Sequence, residues 1–187
     1  MKKSIILLVA FCASVLFSGL AWSQEPAKKP VSECEKSVQQ GKACVQVTVK
    51  GLDKRRHRCE GKSTAPIMIM LFKGEGNWEN PKKAFKKVIQ DVSGPVATAT
   101  FAWVEPGTDY GVWMLHDENC NGGFGMADMY WLPPAPGEGM TSSWNGTEKD
   151  QDHRPKFKEV KFNLKAGEKK VIDAKIKYFV AYEKLYN

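Results

Sequence analysis

Much of this chain alternates apolar and polar residues at period two. Val45, Val47 and Val49 alternate with Gln46, Thr48 and Lys50, the pattern of a strand with one face buried. Residues 96–104 repeat it, with Ala97, Ala99 and Phe101 opposed to Val96, Thr98 and Thr100. Residues 156–164 and 170–178 read as two more strands around a turn at Ala166-Gly167, and Ile172, Ala174, Ile176 and Tyr178 share one face of the second. Two runs do not alternate. Pro66 opens a continuous apolar run through Phe72, bounded by turn residues and short enough for a central strand. Residues 110–115 form the strand after the Pro106-Gly107-Thr108-Asp109 turn, and they lead into the polar stretch His116-Asp117-Glu118-Asn119-Cys120-Asn121-Gly122-Gly123.

One segment has helical spacing. Ala84, Phe85, Val88, Ile89 and Val92 make an apolar face, with Lys82, Lys83, Lys86 and Lys87 toward water. Asn80 suits an N-cap, Pro81 the first helical position, and Gly94-Pro95 a stop. Residues 122–155 show little period, and the proline-rich run beginning at Leu132 excludes a helix or central strand there. The pattern therefore predicts an all-β fold. We expect an antiparallel β-sandwich of the immunoglobulin or transthyretin type, with one short helix and a long irregular loop. Strands that alternate up and down place Cys44 and Cys120 at one end and Cys59 at the other, which favours bonding Cys120 to Cys34 or Cys44.

The start of the chain changes the picture. Lys2 and Lys3 precede a nearly unbroken apolar run over residues 5–17, and Ala21-Trp22-Ser23 fits a cleavage site before Gln24. We read residues 1–23 as a signal peptide, 24–42 as a flexible leader, 43–180 as the sandwich domain and 181–187 as a tail. The expected location is periplasmic or secreted, with no membrane span after the signal is removed. Losing Lys2 and Lys3, and no acid, lowers the net charge from +7 to +5, which is too mild to imply nucleic acid. Cys34, Cys44, Cys59 and Cys120 remain, an even number that an exported chain pairs as disulfides. The basic run Lys54-Arg55-Arg56-His57-Arg58 has no interleaved aromatic residue, so it reads as a solvated loop before it reads as a phosphate or lipid patch.

Candidate chemistry centres on the polar stretch. Asp117, Asn119 and Asn121 place oxygens at every second residue, Gly122 permits a turn, and Asp128 is twelfth from Asp117. That is the spacing of an EF-hand-like calcium loop, with Gly123 lending a carbonyl. With two carboxylates, the affinity expected is about 10⁻⁴–10⁻³ M. The competing account is an Asx-rich turn whose side chains bond their own backbone. His116, Cys120, Met126, Met129 and His153 offer a second option, a soft-metal site. Tyr130, Trp131 and Trp144 in the long loop offer a third, stacking on a glycan or other envelope ligand. Adjacent residues of a strand point opposite ways, so His116 and Asp117 make no dyad. No nucleophile elbow, zinc-protease motif or phosphate loop occurs. We expect a non-enzymatic module with an unidentified envelope or extracellular ligand, and no cofactor beyond the calcium option.

The same residues resemble a bacterial exported family, domain of unknown function 2141. The resemblance rests on Gly51-Leu52, Leu71-Phe72, the Pro106-to-Tyr110 turn, His-Asp-Glu-Asn-x-Asn-Gly at His116 to Gly122, and Pro155, Phe157 and Phe162. Many members carry glycine where this chain has Cys120, and an aspartate where it has Gly125. The resemblance implies a secreted sandwich domain and no established activity.

Overall fold

The computed structural model describes residues 31–122, 138–144 and 155–178. Helix α1 (Glu33–Gln39) comes first, inside what the sequence reads as leader. Ser32 caps it: the Ser32 hydroxyl accepts the Glu35 N–H at 3.2 Å, and the Glu35 carboxylate accepts the Ser32 N–H at 2.8 Å. The Cys34–Cys44 disulfide fastens α1 to the next strand.

Nine strands follow among the described residues: β1 (Ala43–Lys50), β2 (Pro66–Lys73), β3 (Lys86–Asp91), β4 (Val96–Val104), β5 (Asp109–His116), β6 (Gly139–Ser142), β7 (Phe162–Asn163), β8 (Lys169–Lys175) and β9 (Lys177–Tyr178). One sheet runs β4-β1-β8. The other runs β3-β2-β5-β6-β9, with β7 also paired to β5. The fold is an all-β sandwich. Its core lies between the sheets, where Val45, Val47 and Val49 of β1 meet Ile67, Ile69 and Leu71 of β2 and Val112 and Met114 of β5. Alternate residues of β2 and β5 point the other way. Met68, Met70, Phe72, Trp113 and Leu115 build a second cluster on the outer face, with Trp78 packed against it. Burial on both faces explains why β2 reads as an unbroken apolar run.

Three expectations need correcting. First, residues 86–91 are not helical. Asn80 does cap, its Oδ1 accepting the Lys82 N–H at 3.1 Å, but the turn it starts (Pro81–Lys83) is one 3₁₀ turn long. The chain then extends as β3 and pairs antiparallel with β2 from Leu71↔Lys86 to Pro66↔Asp91. A strand there satisfies β2's backbone along its whole length, which a two-turn helix would leave unbonded. Second, residues 157–160 form a helical turn, α2 (Phe157–Val160), so the strand read over 156–164 shrinks to β7. Third, residues 169–178 divide between the sheets. β8 runs parallel to β1, an exception to the antiparallel pattern. The Ile176 N–H then donates to Lys50 O at 2.9 Å, and β9 crosses to pair with β6.

That crossing carries Tyr178 over Gly139. A Cβ on Gly139 would run into the Tyr178 ring and come within 2.8 Å of Ile176 Cγ1, so only glycine lets the ring lie against β6. Gly139→Ala is expected to lose about 1–3 kcal/mol of stability in urea denaturation, because neither neighbour is free to retreat.

Candidate functional site

β5 ends in the core. Its residues alternate so that Tyr110, Val112 and Met114 face inward, and His116 follows on that face, wholly buried. The chain then turns. The Asp117 N–H donates to Pro66 O at 2.9 Å, which ties the turn to the start of β2.

Asp117 is 2 % exposed, and its two carboxylate oxygens accept the N–H groups of Asn121 (3.1 Å) and Gly122 (3.0 Å). Asn119 Oδ1 accepts the Asn121 N–H at 2.9 Å. Cys120 and Gly122 take positive φ, +60° and +79°. Glycine adopts this left-handed region freely, whereas it costs another residue about 1–2 kcal/mol. Cys120 is held there by its disulfide to Cys59. The turn is therefore an Asx turn, its oxygens directed at the loop's own amides. Gly123 and Asp128 lie outside the described residues. So do Met126, Met129, Tyr130, Trp131 and His153. Trp144 is described, half-buried just beyond β6. Among the described residues no three His, Cys, Asp or Glu side chains converge for a metal.

The Cys59–Cys120 bond overturns the expected pairing with Cys34 or Cys44. The cause is the strand read as a helix. Adding β3 reverses the direction of every later strand, so β5 ends beside the end of β1, where Cys59 lies. This bond closes 61 residues and the other 10, which in the chain-entropy account is about 4 against about 2.7 kcal/mol. It also removes Cys120 as a thiolate ligand.

The disulfide brings the basic run onto the turn. The Arg58 N–H donates to Glu118 O at 2.6 Å. Arg56 is 2 % exposed and its Nε donates to Glu118 Oε1 at 2.6 Å, with Glu118 fully buried. The guanidinium lies 4.2 Å from the centroid of the Tyr178 ring, in cation–π contact. The Tyr178 hydroxyl accepts the Asp53 N–H at 3.1 Å and meets His116 Nδ1 at 2.8 Å. Nε2 is buried with no hydrogen-bond partner among the described residues. Burial, then the Arg56 charge, lowers the His116 pKa to about 4, with Asp53 opposing. Burial raises that of Tyr178. Arg55 holds Asp53 below the usual carboxylate range through their hydrogen bonds.

The site is thus a buried polar hub joining the 51–65 loop, the His116–Gly122 turn and the C-terminal strand. Of its members, the sequence singles out the turn residues and Cys59. It does not reveal that Arg56 leaves the solvated run for the interior, nor that Tyr178 and Gly139 complete the hub. The one available signal for Tyr178 is its place on the inward face of the last alternating strand.

Residues 60–172 match the model of a family described as an uncharacterized protein conserved in bacteria (DUF2141), and the chain belongs to that family. The match begins just after Cys59 and ends before Tyr178, so Arg56 and Tyr178 lie outside the matched span. No curated protein and no solved structure matches the chain.

Two outcomes are expected. Arg56→Met or Glu118→Leu alone should cost about 3–5 kcal/mol, since each leaves the other charge buried without its counter-charge, while the two together should recover most of that in a double-mutant cycle. A neutral buried imidazole also makes stability pH-dependent. The unfolded chain takes up the His116 proton near pH ~6.5 and the folded chain only near pH 4. Stability should fall by up to about 3 kcal/mol as pH drops through that window, and His116→Gln should flatten the fall.

Proposed function

We propose that this protein is an exported, non-catalytic sandwich module of the cell envelope, acting by binding or structural contact. Its His116–Gly122 turn works as the clamp of the sandwich and not as a point of chemistry. One observation carries this reading: His116, Asp117 and Glu118 are each 2 % exposed or less, and each is engaged within the molecule. A substrate has no approach to them. Export is supported by the two disulfides, which persist in oxidising compartments, and by the signal-like start of the chain. No helix among the described residues is long and apolar enough to cross a membrane.

Fractionation of producing cells tests the reading. The chain should be recovered outside the cytosol, beginning at Gln24 and with no thiol that reacts on unfolding without reductant. Cytosolic recovery with Met1 retained and free thiols would contradict export. Calorimetric titration with millimolar calcium should give no heat and no rise in melting temperature. Saturable heat that Asp117→Asn abolishes would restore the calcium loop in place of the clamp.

A further inference from the structure

The outer edge of the six-stranded sheet is rich in exposed lysine. β3 is its terminal strand. Residues 81–91 hold four lysines and one acid, Asp91 at the end of β3. Lys73, Lys82, Lys83 and Lys87 are exposed, and none forms an ion pair among the described residues. Elsewhere Lys36, Lys42, Lys50 and Lys161 each meet a carboxylate. Lys86 is the exception within the edge, its Nζ turned back to Ala102 O at 2.7 Å.

Two large apolar side chains stand among these lysines. Phe85 is 40 % exposed and Ile89 53 %. The Phe85 ring lies between Lys73 Nζ at 5.8 Å and Lys86 Nζ at 5.9 Å. Ile89 is paired with Met68 and Lys87 with Met70, so both stand on the outer face of the sheet. Lysines alone on an edge strand guard it against pairing with another chain. An exposed phenylalanine and isoleucine on the same edge work against that guarding. The combination suits a partner that is anionic at its surface and apolar beneath.

We propose that this edge docks the protein on a bilayer carrying anionic phospholipid, with the lysines on the headgroup phosphates and Phe85 and Ile89 at the acyl boundary. The inference deepens the envelope-contact reading and rests on it for where the surface is met. Absence of vesicle binding would remove the docking edge and leave export standing, whereas cytosolic recovery would remove export alone.

The test is co-sedimentation of the purified protein with vesicles of phosphatidylcholine alone and of phosphatidylcholine with phosphatidylglycerol in equal parts. Binding should require phosphatidylglycerol and disappear at molar salt. The Lys82→Gln/Lys83→Gln/Lys87→Gln variant should partition about a hundredfold more weakly, at about fivefold per lysine, with its melting temperature unchanged. Phe85→Ser should weaken binding without altering its salt dependence. Equal binding to both vesicles, no binding, or binding indifferent to the triple variant would overturn the proposal. So would a solution dimer that Ile89→Asp disperses, which assigns the edge to a second copy of the chain.

Discussion

A charged pair inside a β-sandwich sets demanding terms. Arg56 and Glu118 meet at 2.6 Å with almost no solvent contact. Removing two such charges from water costs several kcal/mol per ion, and their attraction offsets that only with close geometry and further partners. Everything around the pair supplies those terms. The Tyr178 ring covers the guanidinium, Gly139 leaves room for the ring, and Cys59–Cys120 holds the two loops at contact. His116 stays neutral because burial, and after it the Arg56 charge, disfavours a second cation there. Three distant parts of the chain must arrive together or the charges are stranded. The pair is thus better understood as a device for specifying one arrangement than as a source of net stability.

That constraint accounts for the character of the turn. A sequence rich in Asp, Asn and Gly suggests ligands held out to solvent. Here the carboxylate and amide oxygens bond the turn's own N–H groups, and the ionised side chain that remains, Glu118, is spent on Arg56. The hub end of the sandwich turns its polar groups inward. The β3 edge differs in kind, since Lys82, Lys83 and Lys87 form no ion pair among the described residues and Phe85 and Ile89 stay about half exposed. Rigidity and availability lie in separate regions of one small domain, an arrangement that lets a surface engage a partner without disturbing the clamp.

The sandwich was legible because alternation is imposed by the strand itself: Val45, Val47 and Val49 face the core wherever β1 sits. β3 was misread because the four lysines and four apolar residues over 82–89 come in pairs that satisfy a helical period and do not alternate as a half-buried strand does. The open edge of β2 decides between them, and no local pattern contains that edge. This single error spread. With one strand missing, the up-down count inverted, and Cys120 was placed at the wrong end of the molecule, beside Cys44 and away from Cys59. Arg56 was obscured for a different reason. Five consecutive basic residues look alike in sequence, and the long-range contacts to Glu118 and Tyr178, with the Cys59–Cys120 bond three residues on, select which of them is drawn inward. The hydroxyl of Tyr178 bonds across 62 residues to His116, a distance at which sequence patterning carries no signal.

The central claim is that the turn and the 51–65 loop form one closed unit with the core. Native-state hydrogen exchange tests it residue by residue. The amides of Arg58, Asp117 and Gly122 donate to Glu118 O, Pro66 O and the Asp117 carboxylate. A clamp predicts that all three exchange only through global unfolding, with the protection of the β2 and β5 amides. Exchange at the rate of an open surface loop, with β2 and β5 still protected, would contradict it.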